Sequence, residues 1–127
     1  MKLVIGGYAQ GKLQYVLYKY NISSMMVCDA RLPLNVSKQS DVLVINHFHS
    51  WVKARLLAGG NPEEEIVRFV DKYPDCVIIS DEISNGIVPT DTFERTYREQ
   101  MGRILVTLTA RAEEVECVIC GIGQKIK

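Results

Sequence analysis

The chain has 127 residues, 47% of them hydrophobic and 24% charged, which places it among globular domains able to bury a real core. Fifteen Lys and Arg balance fifteen Asp and Glu, so no net field of either sign points to nucleic acid or an anionic membrane as a partner. No apolar run approaches the ~18–20 residues of a membrane span, and the three apolar residues after Met1-Lys2 are too few for a signal peptide. The expectation is a cytoplasmic protein with residues 1–127 forming a single domain.

In chain order, Leu3–Ile5 reads as a strand that runs straight into Gly6-Gly7-Tyr8-Ala9-Gln10-Gly11-Lys12. Gly-x-x-x-x-Gly-Lys between a strand and a helix is most of a phosphate-binding loop. The glycines let the backbone turn its N–H groups inward, the helix adds its N-terminal partial charge and the lysine a full one. Leu13 stands where the pattern has a Ser or Thr whose hydroxyl ligates Mg²⁺. The helix runs from Gly11 to about Lys19, with Leu13, Val16 and Leu17 on one side. Ser24–Cys28 is a second strand, the polar stretch 29–40 with Pro33 a loop, and Val42–Ile45 a strand buried on both faces. A helix from about Ser50 to Leu57 stops at Gly59-Gly60, with Trp51 packing on it. Asn61-Pro62-Glu63-Glu64 combines a cap, a first-turn proline and acids at the positive end, and opens a helix that reaches Tyr73-Pro74. Cys76–Ile79 is another buried strand. Thr90 or Asp91 caps the longest helix, whose apolar stripe is Phe93, Tyr97, Met101, Ile104 and Leu108. Val115–Cys120 is a strand, and Lys125–Lys127 a short one folding back antiparallel. The alternation implies an α/β fold with a largely parallel sheet. Cys117-x-x-Cys120 falls within a strand reading, where residues three apart point to opposite faces, so the four cysteines read as buried and structural rather than as a metal or redox pair.

Ligands of such sheets sit at the carboxyl ends of the strands. Three strand ends carry polar groups: Gly6–Lys12, Asn46-His47-Phe48-His49 and Ser80-Asp81-Glu82. Lys12 is the leading candidate for catalysis and phosphate contact, with Gly6, Gly7, Tyr8, Ala9, Gln10, Gly11 and Leu13 completing the cradle. Asp81 and Glu82 are candidate catalytic acids, the simpler alternative being acids that cap a turn. His47 and His49, two apart in extended chain, would share a face, but no third ligand stands at supporting spacing. Contact with a ligand or a plain structural role is the alternative, and no metal residue is assigned.

These residues resemble a known family. Gly6-Gly-Tyr-Ala-Gln-Gly11-Lys12 is similar to the Gly-Gly-Ala-Arg-Ser-Gly-Lys-Ser loop of the bifunctional adenosylcobinamide kinase/adenosylcobinamide-phosphate guanylyltransferases. Ser80-Asp-Glu-Ile-Ser-Asn-Gly-Ile-Val-Pro89 resembles that family's Ser-Asn-Glu-Val-Gly-x-Gly-Ile-Val-Pro, and Gly102-Arg103, Ala112-Glu-Glu-Val115 and the tail from Cys120 resemble its later segments. The likeness covers residues 1–20 and about 42–127. It implies a P-loop NTPase-like, RecA-like three-layer fold with an antiparallel C-terminal edge strand. It also implies ATP or GTP as bound nucleotide, a corrinoid partner, a homo-oligomer (a trimer by resemblance) and a place in cobalamin biosynthesis.

The departures are specific. Leu13 replaces the loop serine, Asn46 stands where the family has an acid after the third strand, and Asp81 stands where it has Asn. Mg²⁺ therefore lacks its usual ligands. The family's guanylylated histidine lies between the second and third strands, and residues 29–41 here contain none. The expectation is a divergent nucleotide-binding member in which kinase chemistry is open and guanylyl transfer has no matching nucleophile. The alternatives are a non-catalytic nucleotide- or corrinoid-binding regulatory subunit, or a remnant that binds nothing.

Overall fold

Five strands of one six-stranded sheet run parallel and the last runs antiparallel at the edge. The computed structural model describes residues 1–33, 42–83 and 91–127. The elements are β1 (Lys2–Gly6), α1 (Lys12–Lys19), β2 (Val27–Asp29), β3 (Val44–Asn46), α2 (Phe48–Leu57), α3 (Pro62–Lys72), β4 (Val77–Asp81), α4 (Thr92–Arg111), β5 (Glu114–Ile119) and β6 (Ile122–Lys125). The strand order is β2-β3-β4-β1-β5-β6. β1 is thus flanked by β4 and β5, and the chain leaving it must cross to the far edge to make β2. The α/β fold with an antiparallel β5–β6 edge is the one expected. The segments 34–41 and 84–90, with Thr90 and the Gly-Ile-Val-Pro part of the family-like stretch, lie outside the described residues.

Strand side chains alternate between faces, and here the two faces have separate cores. Val4, Val44, Val77, Ile79 and Val118 meet Val16 of α1 on one face. Leu3, Ile45, Ile78 and Val115 meet Phe48, Trp51 and Val52 of α2, Ile66, Phe69 and Val70 of α3, and Tyr97, Met101, Ile104 and Leu108 of α4 on the other. That is a three-layer arrangement, with α1 the one helix on the loop side among the described residues. Trp51 stacks on Phe48, with ring centroids 5.6 Å apart, inside the second core. The caps are local: Asn61 Oδ1 accepts the Glu64 N–H at 3.2 Å, and Asp91 Oδ1 accepts that of Glu94 at 3.0 Å. On the α1 face Lys19 pairs with the buried Glu116, which also accepts from the Tyr15 hydroxyl at 3.1 Å, fastening α1 to β5.

Several boundaries differ from the sequence reading, among them β4, which ends at Asp81 instead of Ile79. Ser24–Met26 forms a 3₁₀ turn, because the Ser23 hydroxyl oxygen accepts the Met25 N–H and offers the backbone an alternative to the ladder. β3 starts two residues later and carries on to Asn46, and α2 starts at Phe48 instead of Ser50. β6 starts at Ile122, because Cys120 and Gly121 form a two-residue hairpin turn with φ of 51° and 75°, matching the twist of the strands. Cys120 is therefore an exposed turn residue, which corrects its reading as a buried strand cysteine; Cys28 and Cys76 are buried, and Cys117 is partly so. Burial pushes the Cys76 thiol up to about 12, leaving it inert as a thiol.

Candidate functional site

The loop between β1 and α1 owes its shape to two glycines. Gly6 lies against β5: a Cβ there would stand 2.5 Å from the Val118 carbonyl oxygen. Gly11, the residue before the helix, takes φ 81°, where a side chain would be strained. The first turn of α1 has no side-chain cap, and among the described residues the N–H groups of Gly7 through Gly11 find no backbone acceptor. Unsatisfied N–H groups around a curved loop, continued by a helix N-terminus, are the physical basis of an anion cradle.

Gln10 does not point into that cradle. Its side-chain oxygen accepts the Cys120 N–H at 2.8 Å and its carbonyl accepts the Gly121 N–H at 2.8 Å. The loop is thus fastened to the β5–β6 hairpin. Nothing in the Gly-x-x-x-x-Gly-Lys pattern signals this contact, since the x positions are unspecified.

Lys12 lies beneath the loop and is buried. Its Nζ donates to the Gly7 carbonyl at 2.6 Å and pairs with Asp81 Oδ1 at 2.7 Å. Asp81 reaches it because the strand period puts Asp81 on the same face as Val77 and Ile79, toward α1. Glu82, the next residue, lies on the opposite side and lines a groove with Ile5, Gly102, Leu105, Val106 and Thr109. The structure thus brings Lys12 and Asp81 together and separates Glu82 from them. A cleft of about 270 Å³ opens over the loop, lined by Tyr8 through Gln14, Asn46, His47, Ile79 and Asp81.

The two histidines do not share a ligand-facing side. His47 is the residue before α2, with φ 51°, and His49 lies within the helix; their rings meet edge-on at 5.8 Å. His49 Nδ1 accepts the Asp81 N–H at 3.1 Å, so its proton is on Nε2, which faces Asp81 Oδ2 at 3.4 Å. Burial holds the His49 pKa below the ordinary histidine value, against the opposing pull of Asp81. A histidine kept neutral in the fold but free to take a proton when unfolded costs stability as the pH falls below about 6.5. Urea midpoints are therefore expected to drop between pH 7 and pH 5, and His49→Gln to flatten that part of the drop.

Asp29, missed by the sequence reading as a site residue, ends β2 beside Asn46 in register. Its Oδ1 accepts from Asn46 Nδ2 at 3.1 Å and meets His47 Nδ1 at 2.5 Å. The signal available in the sequence was its position: the last residue of a strand, on the same face as Asn46 and Asp81.

The side chains present do not fit a Mg²⁺ ion held by the protein. Leu13 has no donor atom, and both Asp81 oxygens face cationic or N–H partners. Among the described residues no three of His, Cys, Asp and Glu are grouped to hold a metal.

Residues 24–126 match the family model described as cobinamide kinase / cobinamide phosphate guanyltransferase. The chain belongs to this family. The bifunctional adenosylcobalamin biosynthesis proteins CobU of Salmonella typhimurium and Escherichia coli K12 are each 43% identical to it over 51 residues. That segment covers 40% of this chain and only 28% of each relative. The family match begins after the loop, so the assignment of residues 6–13 rests on their own geometry. Asn46 and Asp81 end the neighbouring strands β3 and β4 on one sheet face, and both line the cleft beside Lys12.

Proposed function

We propose that the chain is a nucleotide-binding member of the cobinamide kinase / guanyltransferase family that works in cobalamin biosynthesis. Its loop, Gly6 to Leu13, takes the phosphates of ATP or GTP through backbone N–H groups and Lys12, with a corrinoid as partner and a homo-oligomer as the working form. The observation that carries this reading is the buried Lys12 ammonium under an open loop whose N–H groups find no backbone acceptor among the described residues. Charge neutralisation falls to Lys12 and the helix terminus, since the side chains do not supply cation ligands. The alternative of a non-catalytic regulatory subunit keeps the same binding site. Phosphoryl transfer to a hydroxyl is favoured over it by the Asp29–His47 pair at the rim of the cleft. Guanylyl transfer is left out, because residues 29–41 offer no histidine.

Calorimetric titration with ATP and GTP, in Mg²⁺ and in EDTA, tests the reading. Binding with affinities agreeing within about threefold in the two conditions, a difference of only ~0.7 kcal/mol, is expected. Absence of heat at millimolar nucleotide contradicts it, and binding confined to Mg²⁺ contradicts its metal-independent part.

A further inference from the structure

The two histidines are held in opposite tautomers, as their hydrogen bonds require. A carboxylate oxygen 2.5 Å from a ring nitrogen requires a proton between them, so His47 Nδ1–H donates to Asp29 Oδ1. Asn46 Nδ2, 3.3 Å from the same nitrogen, is then a neighbour whose amide proton goes to Asp29. The lone pair of neutral His47 is consequently on Nε2. In His49 it is on Nδ1 and is already taken by the Asp81 N–H. Among the described residues only His47 thus has an uncommitted imidazole lone pair, and it lines the cleft with Lys12 and Asp81. The backbone supports special placement: His47 takes φ 51° directly before α2, a conformation that few non-glycine residues adopt. Its ring lies on Asp29 and edge-on to the His49 ring.

We propose that His47 is the proton acceptor for a hydroxyl substrate at this cleft, with Asp29 as its positioning residue. The inference rests on the reading above, that the loop takes the nucleotide phosphates. In the step, the acceptor O–H gives its proton to His47 Nε2 as its oxygen bonds to the terminal phosphorus. The bond from that phosphorus to the bridging oxygen breaks, and a nucleoside diphosphate leaves with the electron pair. Asp29 holds the ring in the Nδ1–H tautomer and stabilises the imidazolium formed. Asp29 and Asn46 come from β2 and β3, so the base is set on the sheet, across the cleft from the loop of α1.

The test follows ADP formation from ATP with cobinamide as the alcohol, alongside calorimetric ATP binding. His47→Asn is the variant of choice, because Asn tolerates positive φ and has no ring base; its fold is checked by thermal denaturation. It is expected to lower kcat about 100-fold or more while leaving ATP affinity within about twofold. Asp29→Asn is expected to lower kcat about tenfold with ATP affinity unchanged, and Asp29→Glu to restore part of the loss. Unchanged kcat in folded His47→Asn overturns the proposal, as does a wild-type chain that binds ATP yet transfers nothing to cobinamide. Stable label from α-labelled GTP on His47 overturns it too, since that makes the ring a nucleophile. A wild-type chain that binds no nucleotide overturns the phosphate-loop reading and this step with it, so the calorimetric arm separates the two failures.

Discussion

Lys12→Ala is expected to weaken ATP and GTP binding by about 100-fold. Removing a charged hydrogen-bond donor from a site costs about 1.5–3 kcal/mol, and each ~1.4 kcal/mol is tenfold in affinity. The upper part of that range applies because Lys12 is only 7% exposed, so water does little to replace it. The resting contact sharpens the prediction. Lys12 is already paired with Asp81 and the Gly7 carbonyl, so an arriving phosphate has to share or displace them. Asp81→Asn removes the competing charge and is expected to raise metal-free nucleotide affinity by about tenfold, since a charged partner is worth ~1.5 kcal/mol or more. The pair of variants moving affinity in opposite directions, read by calorimetry, is a result that general unfolding cannot imitate. If both variants bind as the wild type does, Lys12 is not a phosphate ligand.

Gly6→Ala is expected to cost about 2–3 kcal/mol of stability, the upper range for overpacking a filled site. The new Cβ meets the backbone oxygen of Val118 at 2.5 Å, and backbone cannot swing away as a long side chain can. Gly6 also carries the carbonyl that accepts the Glu82 N–H at 2.9 Å, so displacement of β1 is felt by β4 as well as β5. Thermal denaturation should show a drop of several degrees. The loop follows directly from Gly6, so nucleotide affinity should fall with it. A Gly6→Ala chain with unchanged melting temperature would show that the β1–β5 contact is looser than described.

The sequence carried the fold because its strongest signals are local. The β1–loop–α1 unit, the Asn61-Pro62 helix start and the α4 stripe each depend on residues a few positions apart, and each appears where the pattern puts it. Boundaries set by tertiary contact were not legible. β6 depends on a Cys120-Gly121 turn whose backbone also serves Gln10, 110 residues away from Cys120 along the chain. The site was legible as a set of strand ends but not as a geometry. The two-residue strand period separates Asp81 from Glu82, and the sequence reading placed both at the site because the exact end of β4 was not fixed. Likewise, reading Asn46–His49 as extended chain paired the histidines. The helix in fact starts at Phe48 and gives each ring its own aspartate. Asp29 had no motif to announce it, and its partners, Asn46 at the end of β3 and His47 just after it, lie seventeen and eighteen residues later.

With Lys12, the N–H groups of the loop, which find no backbone acceptor among the described residues, are expected to hold phosphate without a cation fixed by side chains. Amide NMR of the labelled chain, titrated with ATP in EDTA, addresses those groups one by one. Saturable downfield shifts of the Gly7 to Leu13 amides, lost in Lys12→Ala, are the predicted result. Shifts absent from that segment at millimolar ATP, or centred on a different part of the sheet, would contradict the account.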